Sequence, residues 1–202
     1  MLFLSMLMAH LLLAFLWIVY CVLHSLLASV RVKEKMEKWF PKKFQYYRLG
    51  YVVFALVGLV AIVFYQLKMD TVPVFSNSGF LFYIGLVIAI GGALLMAVCI
   101  KKYFVGLSGL RSVFKKEEKP QLIVSGVHRY LRHPLYLGTF AAIWGVFFMM
   151  PLLSLAIANT IITGYTIYAI KWEEEKLVDL FGNDYKLYQA QVPKLFPRWK
   201  LN

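Results

Sequence analysis

The sequence has few cysteines and few acidic residues. Its two cysteines, Cys21 and Cys99, fall inside long apolar runs, and no CxxC or zinc-ligand spacing occurs, so we expect neither a disulfide nor a metal site. Ten acidic residues stand against 22 lysines and arginines, which gives a net charge of +12. In a soluble protein such an excess would suggest a nucleic acid as partner. The grouping of the basic residues between apolar runs favours a membrane explanation, and we expect no nucleic-acid partner.

Motifs of soluble nucleotide-binding folds and of ion pathways are also missing. No GxGxxG follows a predicted strand and no Walker sequence occurs, which excludes a hidden soluble nucleotide-binding domain of those types. None of the apolar runs carries a charged residue at its centre. Because charges inside a membrane mark ion and proton pathways, this absence disfavours a transporter.

Apolar residues, in contrast, are abundant: they make up 61% of the chain, and the mean hydropathy is +0.68. Soluble domains contain about 45–50%. Runs near the ~20 residues that span a bilayer predict an all-α integral membrane protein of about five transmembrane helices, with a C-terminal helical hairpin and a cytosolic amphipathic tail from residue 171. The five runs are Leu2–Ala28, Leu49–Leu67, Phe80–Ile100, Pro134–Met150 and Leu152–Ile170.

Two details of these runs leave questions open. The first run is too long for a signal peptide and lacks a basic n-region, so we expect that it is not cleaved. The fourth run rises only about 26 Å, so it either barely crosses the bilayer or is re-entrant. We divide the chain into a three-helix part, residues 1–100, and a C-terminal part, residues 101–202, within one integrated domain.

The basic residues predict the orientation. Lys68 is the only one of the 22 that lies outside residues 31–48, 101–133 and 171–202. The positive-inside rule places these three segments in the cytosol, with the N-terminus outside and the C-terminus cytosolic. A multi-pass protein of a bacterial or archaeal inner membrane, or of the endoplasmic reticulum, fits this pattern.

A polar cluster precedes the fourth run. Arg132, His133 and Tyr136 surround Pro134, which suits the first turn of a helix because no backbone N–H is needed there. One interpretation is an interfacial anchor of basic and aromatic residues. The other is a pocket for an anionic or zwitterionic ligand, since arginine presents a planar fork and histidine can exchange a proton.

Three adjacent carboxylates, Glu173, Glu174 and Glu175, follow the fifth run. An acidic triplet alone is typical of a solvated helix start. A hairpin of the last two runs, however, returns the chain to the membrane face that it left, so we expect these glutamates to face Arg132 and His133. Residues 181–198 that follow are interpreted as a lid on the membrane surface, an anchoring helix, or both.

Two groups inside the apolar runs have competing interpretations. His24, near the end of the first run, is either a packed interfacial residue or a group on the substrate side, because polar residues in membranes are often functional. Packing is the better interpretation for His10. Gly85, Gly91 and Gly92 are expected to permit close helix packing rather than to bind phosphate.

The C-terminal third carries an ordered set of motif residues: Gly126, His128, Arg129, Tyr130, Arg132, His133, Pro134, Tyr136 and Gly138, then Glu173, Glu174, Leu177, Phe181, Gly182, Tyr185 and Tyr188, then Val192, Pro193, Leu195, Pro197 and Arg198. By these residues it resembles the isoprenylcysteine carboxyl methyltransferase and phospholipid methyltransferase superfamily. The N-terminal part, with His24–Ser29 and Tyr47–Arg48, resembles a bacterial branch of it that contains methanethiol S-methyltransferases and NnrU-like proteins.

The resemblance implies the cofactor S-adenosyl-L-methionine, entering from the cytosol, and an acceptor that arrives from the bilayer. Arg132 and Glu173 would stand near the reacting centre. A thiol acceptor must first lose its proton, and His24, His128 or a water held by Arg132 could assist that step. An arginine often precedes the paired glutamates in this superfamily, whereas here the nearest basic residue is Lys171, which lacks the bidentate fork. The implied cofactor-binding residues are His128, His133, Tyr136, Gly138, Glu174 and Tyr185.

These expectations combine into a membrane methyltransferase that acts on a lipophilic or small membrane-permeant acceptor. A thiol or isoprenylcysteine carboxylate is preferred and a lipid amine comes next, with membrane lipids as further partners. Two other classes remain open: a non-catalytic NnrU-like membrane protein and a small transporter. Cofactor binding would separate the enzyme from both, and the oligomeric state stays open.

Overall fold

A computed structural model describes residues 2–107 and 121–197. Within these residues the chain is helical and contains no β-strand, only an isolated antiparallel bridge between Pro73 and Leu152. The predicted all-α class is thereby confirmed. Seven α-helices are described: α1 Leu2–Ala28, α2 Val30–Trp39, α3 Tyr47–Lys68, α4 Gly79–Leu107, α5 Pro134–Met149, α6 Leu153–Phe181 and α7 Asn183–Gln191; 3-10 helices cover Pro41–Tyr46 and Gly126–Arg129.

Four of these helices, α1, α3, α4 and α6, are long and apolar enough to cross a membrane. α5 is also apolar but has only 16 residues. The chain is therefore an integral membrane protein, and the fifth crossing stays a prediction that depends on α5. The structure also shows that α6 continues beyond the predicted span, through Lys171 to Phe181. The start of the predicted tail is thus a helical extension of the last span.

Helix ends follow local chemistry. α5 begins at Pro134, as predicted, because proline has no backbone N–H and the first turn of a helix does not require one. Ser29 caps α2 with its side-chain oxygen on the N–H of Val32. Between α6 and α7, Gly182 takes a positive φ of 60°, a conformation that favours glycine and separates the two helices.

The residues group into two compact units, each assembled from separate segments of the chain. Among the described residues, the first contains 2–76, 103–107 and 151–162, and the second contains 77–102, 121–150 and 163–197. The predicted division at residue 100 is not tested by this grouping, because both units draw on both parts of the sequence.

The first unit has an apolar core formed by Leu13, Trp17, Ile62 and Ala158. Trp17 also donates a hydrogen bond from Nε1 to Oε1 of Gln66, at 3.1 Å, which joins α1 to α3. A buried indole N–H needs such a partner in an apolar interior. This core therefore combines packing with a neutral interhelical hydrogen bond.

The second unit depends on close contact between α4 and α5. A Cβ at Gly92 would clash with the backbone N of Ala142, and one at Gly85 would lie 2.6 Å from the carbonyl O of Gly145. Small residues let transmembrane helices approach in this way. The predicted packing role is confirmed for Gly85 and Gly92. It is wrong for Gly91, whose Cβ would meet no described atom within 4 Å.

Candidate active site

The site residues Arg132 and His133 lie in an extended stretch just before α5. Their backbone N–H groups donate to the carbonyl oxygens of Pro193 and Lys194, at 2.9 and 3.1 Å. Backbone groups near a membrane need such internal partners. The stretch after α7 is therefore fixed against the start of α5, which explains how residues 61 positions apart share one site.

Glu174 is the centre of the site and is 7% exposed. Its Oε1 accepts hydrogen bonds from Nε of Arg132, at 2.7 Å, and from Nε2 of His133, at 3.1 Å. Its Oε2 lies 3.3 Å from Nζ of Lys194. The structure thus shows the predicted proximity of the glutamates to Arg132 and His133, because α5 and α6 form the expected hairpin.

The guanidinium of Arg132 makes further internal contacts. Its Nη1 donates to the carbonyl oxygens of Gln189, at 3.0 Å, and of Val192. Arginine suits this task because its planar fork can serve several acceptors at once. Arg132 consequently ties the start of α5 to α6 and to the end of α7, a structural role that the sequence alone did not indicate.

A second, more open group adjoins the first. Tyr136 donates from Oη to Oε2 of Glu173, at 2.9 Å, and the carboxylate side chain is 43% exposed. The rings of Tyr136 and His133 are stacked with centroids 5.6 Å apart. Nδ1 of His133 lies 3.7 Å from the same Oε2 of Glu173. Glu173 therefore presents an accessible carboxylate beside the buried one.

Two tyrosines of α7 close the site. The hydroxyl of Tyr188 donates to the carbonyl O of His128, at 2.6 Å, and Nδ1 of His128 lies 3.1 Å from the carbonyl O of Arg132. Tyr185 is only 2% exposed, and its hydroxyl has no hydrogen-bond partner within residues 2–107 and 121–197. Burial, and then the charge of Glu174, raise the pKa of Tyr185 above the usual 10.0, so the phenol is neutral at physiological pH.

A cleft of about 280 Å³ opens beside Glu174. It is lined by both basic and acidic side chains, so it suits a ligand with groups of either charge. Lys171, the nearest basic residue before the paired glutamates, contributes to its wall. The lining residues are Lys171, Glu174, Glu175, Val178, Asp179, Gln189 and Lys194.

Two predicted site residues have other surroundings. Gly138 lies against α4, where its Cβ would be 3.0 Å from the carbonyl O of Gly92, so its observed contacts are those of helix packing. His24 belongs to the first unit, where the hydroxyl of Tyr51 lies within 3.1 Å of both ring nitrogens and Tyr20 stacks on the ring. The cofactor role of Gly138 and the acceptor role of His24 stay predictions.

Sequence reasoning missed Lys194 as a site residue. It lies between Pro193 and Leu195 of the matching motif, but as one of 22 basic residues it gave no signal of its own. Its ammonium pairs with Glu174 although its side chain is 46% exposed. His10, in contrast, is 5% exposed and bonds Thr71 and the carbonyl O of Met6, which agrees with the packing interpretation.

Residues 79–184 match the phospholipid methyltransferase family model, which is just over half of the chain and includes Arg132, His133 and Glu174. The chain belongs to this family. The match confirms the resemblance proposed from the motif residues. It also covers the α5–α6 hairpin, which carries most of the site.

Individual relatives agree with this assignment. A methanethiol S-methyltransferase of Crocosphaera subtropica is 28% identical over 190 residues, which cover 89% of this chain and 71% of that protein. Methanethiol S-methyltransferase 1 of Bradyrhizobium diazoefficiens is 29% identical over 188 residues, 90% of this chain and 64% of that protein. The protein-S-isoprenylcysteine O-methyltransferase of Schizosaccharomyces pombe is 33% identical over 96 residues, 46% and 40% of the two chains. No solved structure matches the chain.

Proposed function

We propose that this protein is a membrane methyltransferase that uses S-adenosyl-L-methionine and acts on a lipophilic or small membrane-permeant acceptor. The observation that carries the proposal is the buried Arg132–Glu174 pair within the family match. A carboxylate surrounded by three cationic or protonatable groups, beside an open cleft, suits a ligand that carries both charges. The methionyl part of the cofactor is such a ligand.

The donor set fits this cofactor. Glu174 offers a buried carboxylate whose Oε2 lies 3.3 Å from the ammonium of the half-exposed Lys194, and Glu173 offers a second, accessible carboxylate. Both suit a ligand with an ammonium or sulfonium group. The buried hydroxyl of Tyr185 suits a ligand acceptor, since leaving it unpaired costs free energy. We therefore assign the cofactor to His128, His133, Tyr136, Glu174 and Tyr185.

When bound, S-adenosyl-L-methionine supplies a methyl group that is already activated by its sulfonium sulfur. The protein then has to align the two partners and exclude water. Arg132 acts here as a positioning residue, because it holds Oε1 of Glu174 and the chain after α7 in place. Glu173 and Tyr136 would lie on the open side, where their hydrogen bond orients an accessible carboxylate.

A thiol is the preferred acceptor, ahead of a lipid amine. The two methanethiol methyltransferases above align with about nine tenths of this chain, whereas the isoprenylcysteine enzyme aligns with under half. Because this chain spans only about two thirds of those methanethiol enzymes, their substrate is a proposal here. A thiol must lose its proton before it attacks, since the thiolate is the nucleophile, and His24 remains a candidate for that step.

The proposed topology follows the basic segments, with the N-terminus outside and the C-terminus in the cytosol. In this orientation the start of α5 and the end of α6 meet a water-soluble cofactor from the cytosol. A reporter fused to the C-terminus should be cytosolic, and a reporter on the opposite side of the membrane would invert the proposal.

Calorimetric titration of the detergent-purified protein with S-adenosylmethionine and S-adenosylhomocysteine tests the cofactor. We expect micromolar binding of both, followed by methylation of a thiol when thiols, prenylcysteines and lipid amines are compared. A folded protein that binds neither compound would support the non-catalytic NnrU-like alternative.

Glu174→Gln tests the assignment of the buried carboxylate. We expect binding of S-adenosylhomocysteine to weaken at least about tenfold, which corresponds to about 1.4 kcal/mol. Asp70→Asn, which removes an exposed carboxylate of the first unit, is the matched control and should bind normally. Unchanged affinity in a folded Glu174→Gln protein would move the role elsewhere.

A further inference from the structure

The segment between α1 and α3 is strongly basic. Residues 31–48 contain seven lysines and arginines against Glu34 and Glu37. Among the described residues, no ion pair involves Lys35, Lys42 or Lys43. Because these charges lack acidic partners within the described chain, they are available to an external anion.

The same segment carries an apolar, aromatic cleft. Trp39 is 69% exposed and Phe40 is 53% exposed, while the rings of Phe44 and Tyr47 stack with centroids 6.0 Å apart. The volume of about 220 Å³ lies below the roughly 300–1,000 Å³ of small-molecule pockets, so the cleft suits one part of a larger ligand. It is lined by Met36, Phe40, Lys43, Phe44, Tyr46 and Tyr47.

We propose that this cleft binds an anionic phospholipid. The phosphate would lie on Lys42 and Lys43, and the upper part of an acyl chain would pack against Phe40 and Phe44. Basic residues beside exposed aromatic ones are typical of segments that lie in the membrane interface. The positive-inside rule places this segment at the cytosolic leaflet, which is where anionic lipids are concentrated.

The basic residues of the segment and the apolar walls of the cleft together favour an anionic phospholipid over a neutral lipid or free phosphate. A neutral phospholipid would gain little from seven basic residues, whereas each lysine or arginine near an anionic surface adds measurable attraction. Free phosphate would leave the apolar walls formed by Met36, Phe40 and Phe44 uncovered. The proposal does not depend on methyl transfer, because its residues all belong to the first unit.

Native mass spectrometry of the full, delipidated chain tests the proposal. The probes are phosphatidylglycerol and phosphatidylcholine with the same acyl chains, added in competition, with inorganic phosphate as a third probe. We expect the wild type to retain phosphatidylglycerol preferentially. The double variant Lys42→Gln/Lys43→Gln should reduce that preference on the order of tenfold, and Phe40→Ala should weaken retention of the lipid.

The control is Lys176→Gln/Lys186→Gln, which removes the same charge from two exposed lysines of the second unit. It should keep the full preference for phosphatidylglycerol. An equal loss in the control, or no loss in Lys42→Gln/Lys43→Gln, would overturn the proposal in favour of unspecific attraction by the net charge. Competition by inorganic phosphate alone would also overturn it, since the apolar part of the site would then be unused.

Discussion

The two units use buried polar groups in different ways. In the first, the neutral side chains of Trp17 and Gln66 pair between two helices, and His10 bonds both Thr71 and the carbonyl O of Met6. In the second, Arg132 and His133 share the single carboxylate oxygen Oε1 of Glu174. Burying charges costs more desolvation than burying neutral pairs. The hydrogen bond between Trp17 and Gln66 serves helix packing, and we infer that the charged cluster around Glu174 serves to bind a ligand.

Arg132→Ala should give the largest effect and tests whether the charged cluster also supports the fold. The variant leaves Glu174 buried without its closest partner, which costs about 3–5 kcal/mol for a buried pair. We expect a clear loss of thermal stability in detergent and loss of turnover. Arg129→Ala, which removes an exposed arginine three residues earlier, is the control and should melt like the wild type. Equal melting of the two variants would show that Arg132 does not support the fold and would contradict the prediction.

Gly92→Ala should come next and tests the close approach of α4 and α5 in the second unit. The added methyl group would meet backbone atoms of Ala142 and Gly138, so overpacking should cost about 1–3 kcal/mol. Gly91→Ala is an adjacent control with open space, and it should be neutral or slightly stabilising because alanine favours helix. Thermal melting of both proteins measures the difference in stability. A loss of stability in Gly91→Ala as large as that in Gly92→Ala would contradict the prediction.

Lys194→Met tests whether the ammonium group of a ligand can replace the half-exposed Lys194 as the partner of Glu174. If the ammonium of a ligand takes the place of Lys194 on Oε2 of Glu174, removing the lysine should tighten S-adenosylhomocysteine binding. An exposed pair contributes about 0.2–1 kcal/mol, so we expect a gain of up to about fivefold. Methylthioadenosine, which lacks the amino-acid part, should bind equally to both proteins. Weaker S-adenosylhomocysteine binding would instead make Lys194 a ligand contact.

Trp17→Phe should have the smallest effect on stability and tests the neutral hydrogen bond between Trp17 and Gln66 in the first unit. It removes the hydrogen bond to Gln66, and such bonds between transmembrane helices contribute about 0.6 kcal/mol. Trp39→Phe alters an exposed indole and is the control for thermal melting. A Trp17→Phe loss as large as that of Arg132→Ala would erase the contrast between the two units.

The sequence predicted the proximity of Arg132, His133 and Glu174 better than it predicted which glycines contact a neighbouring helix. The hairpin of two adjacent apolar runs was enough to bring Glu174 to Arg132, because a short turn between spans returns the chain to the same face. The packing contacts of Gly138 and Gly91 were harder to predict. Whether a glycine touches a neighbouring helix depends on which face of α4 meets α5, and a uniformly apolar run does not reveal that face.

The sequence by itself determined the membrane class, four helical spans, the family and most of the polar residues that the structure brings together around Glu174. These properties depend on local composition, run length and motif order. Only the tertiary structure decided that Lys194 reaches Glu174 and that Arg132 binds the carbonyl oxygens of Gln189 and Val192. Those contacts arise where the chain turns back at Gly182, and no local pattern encodes the partners that such a turn brings together.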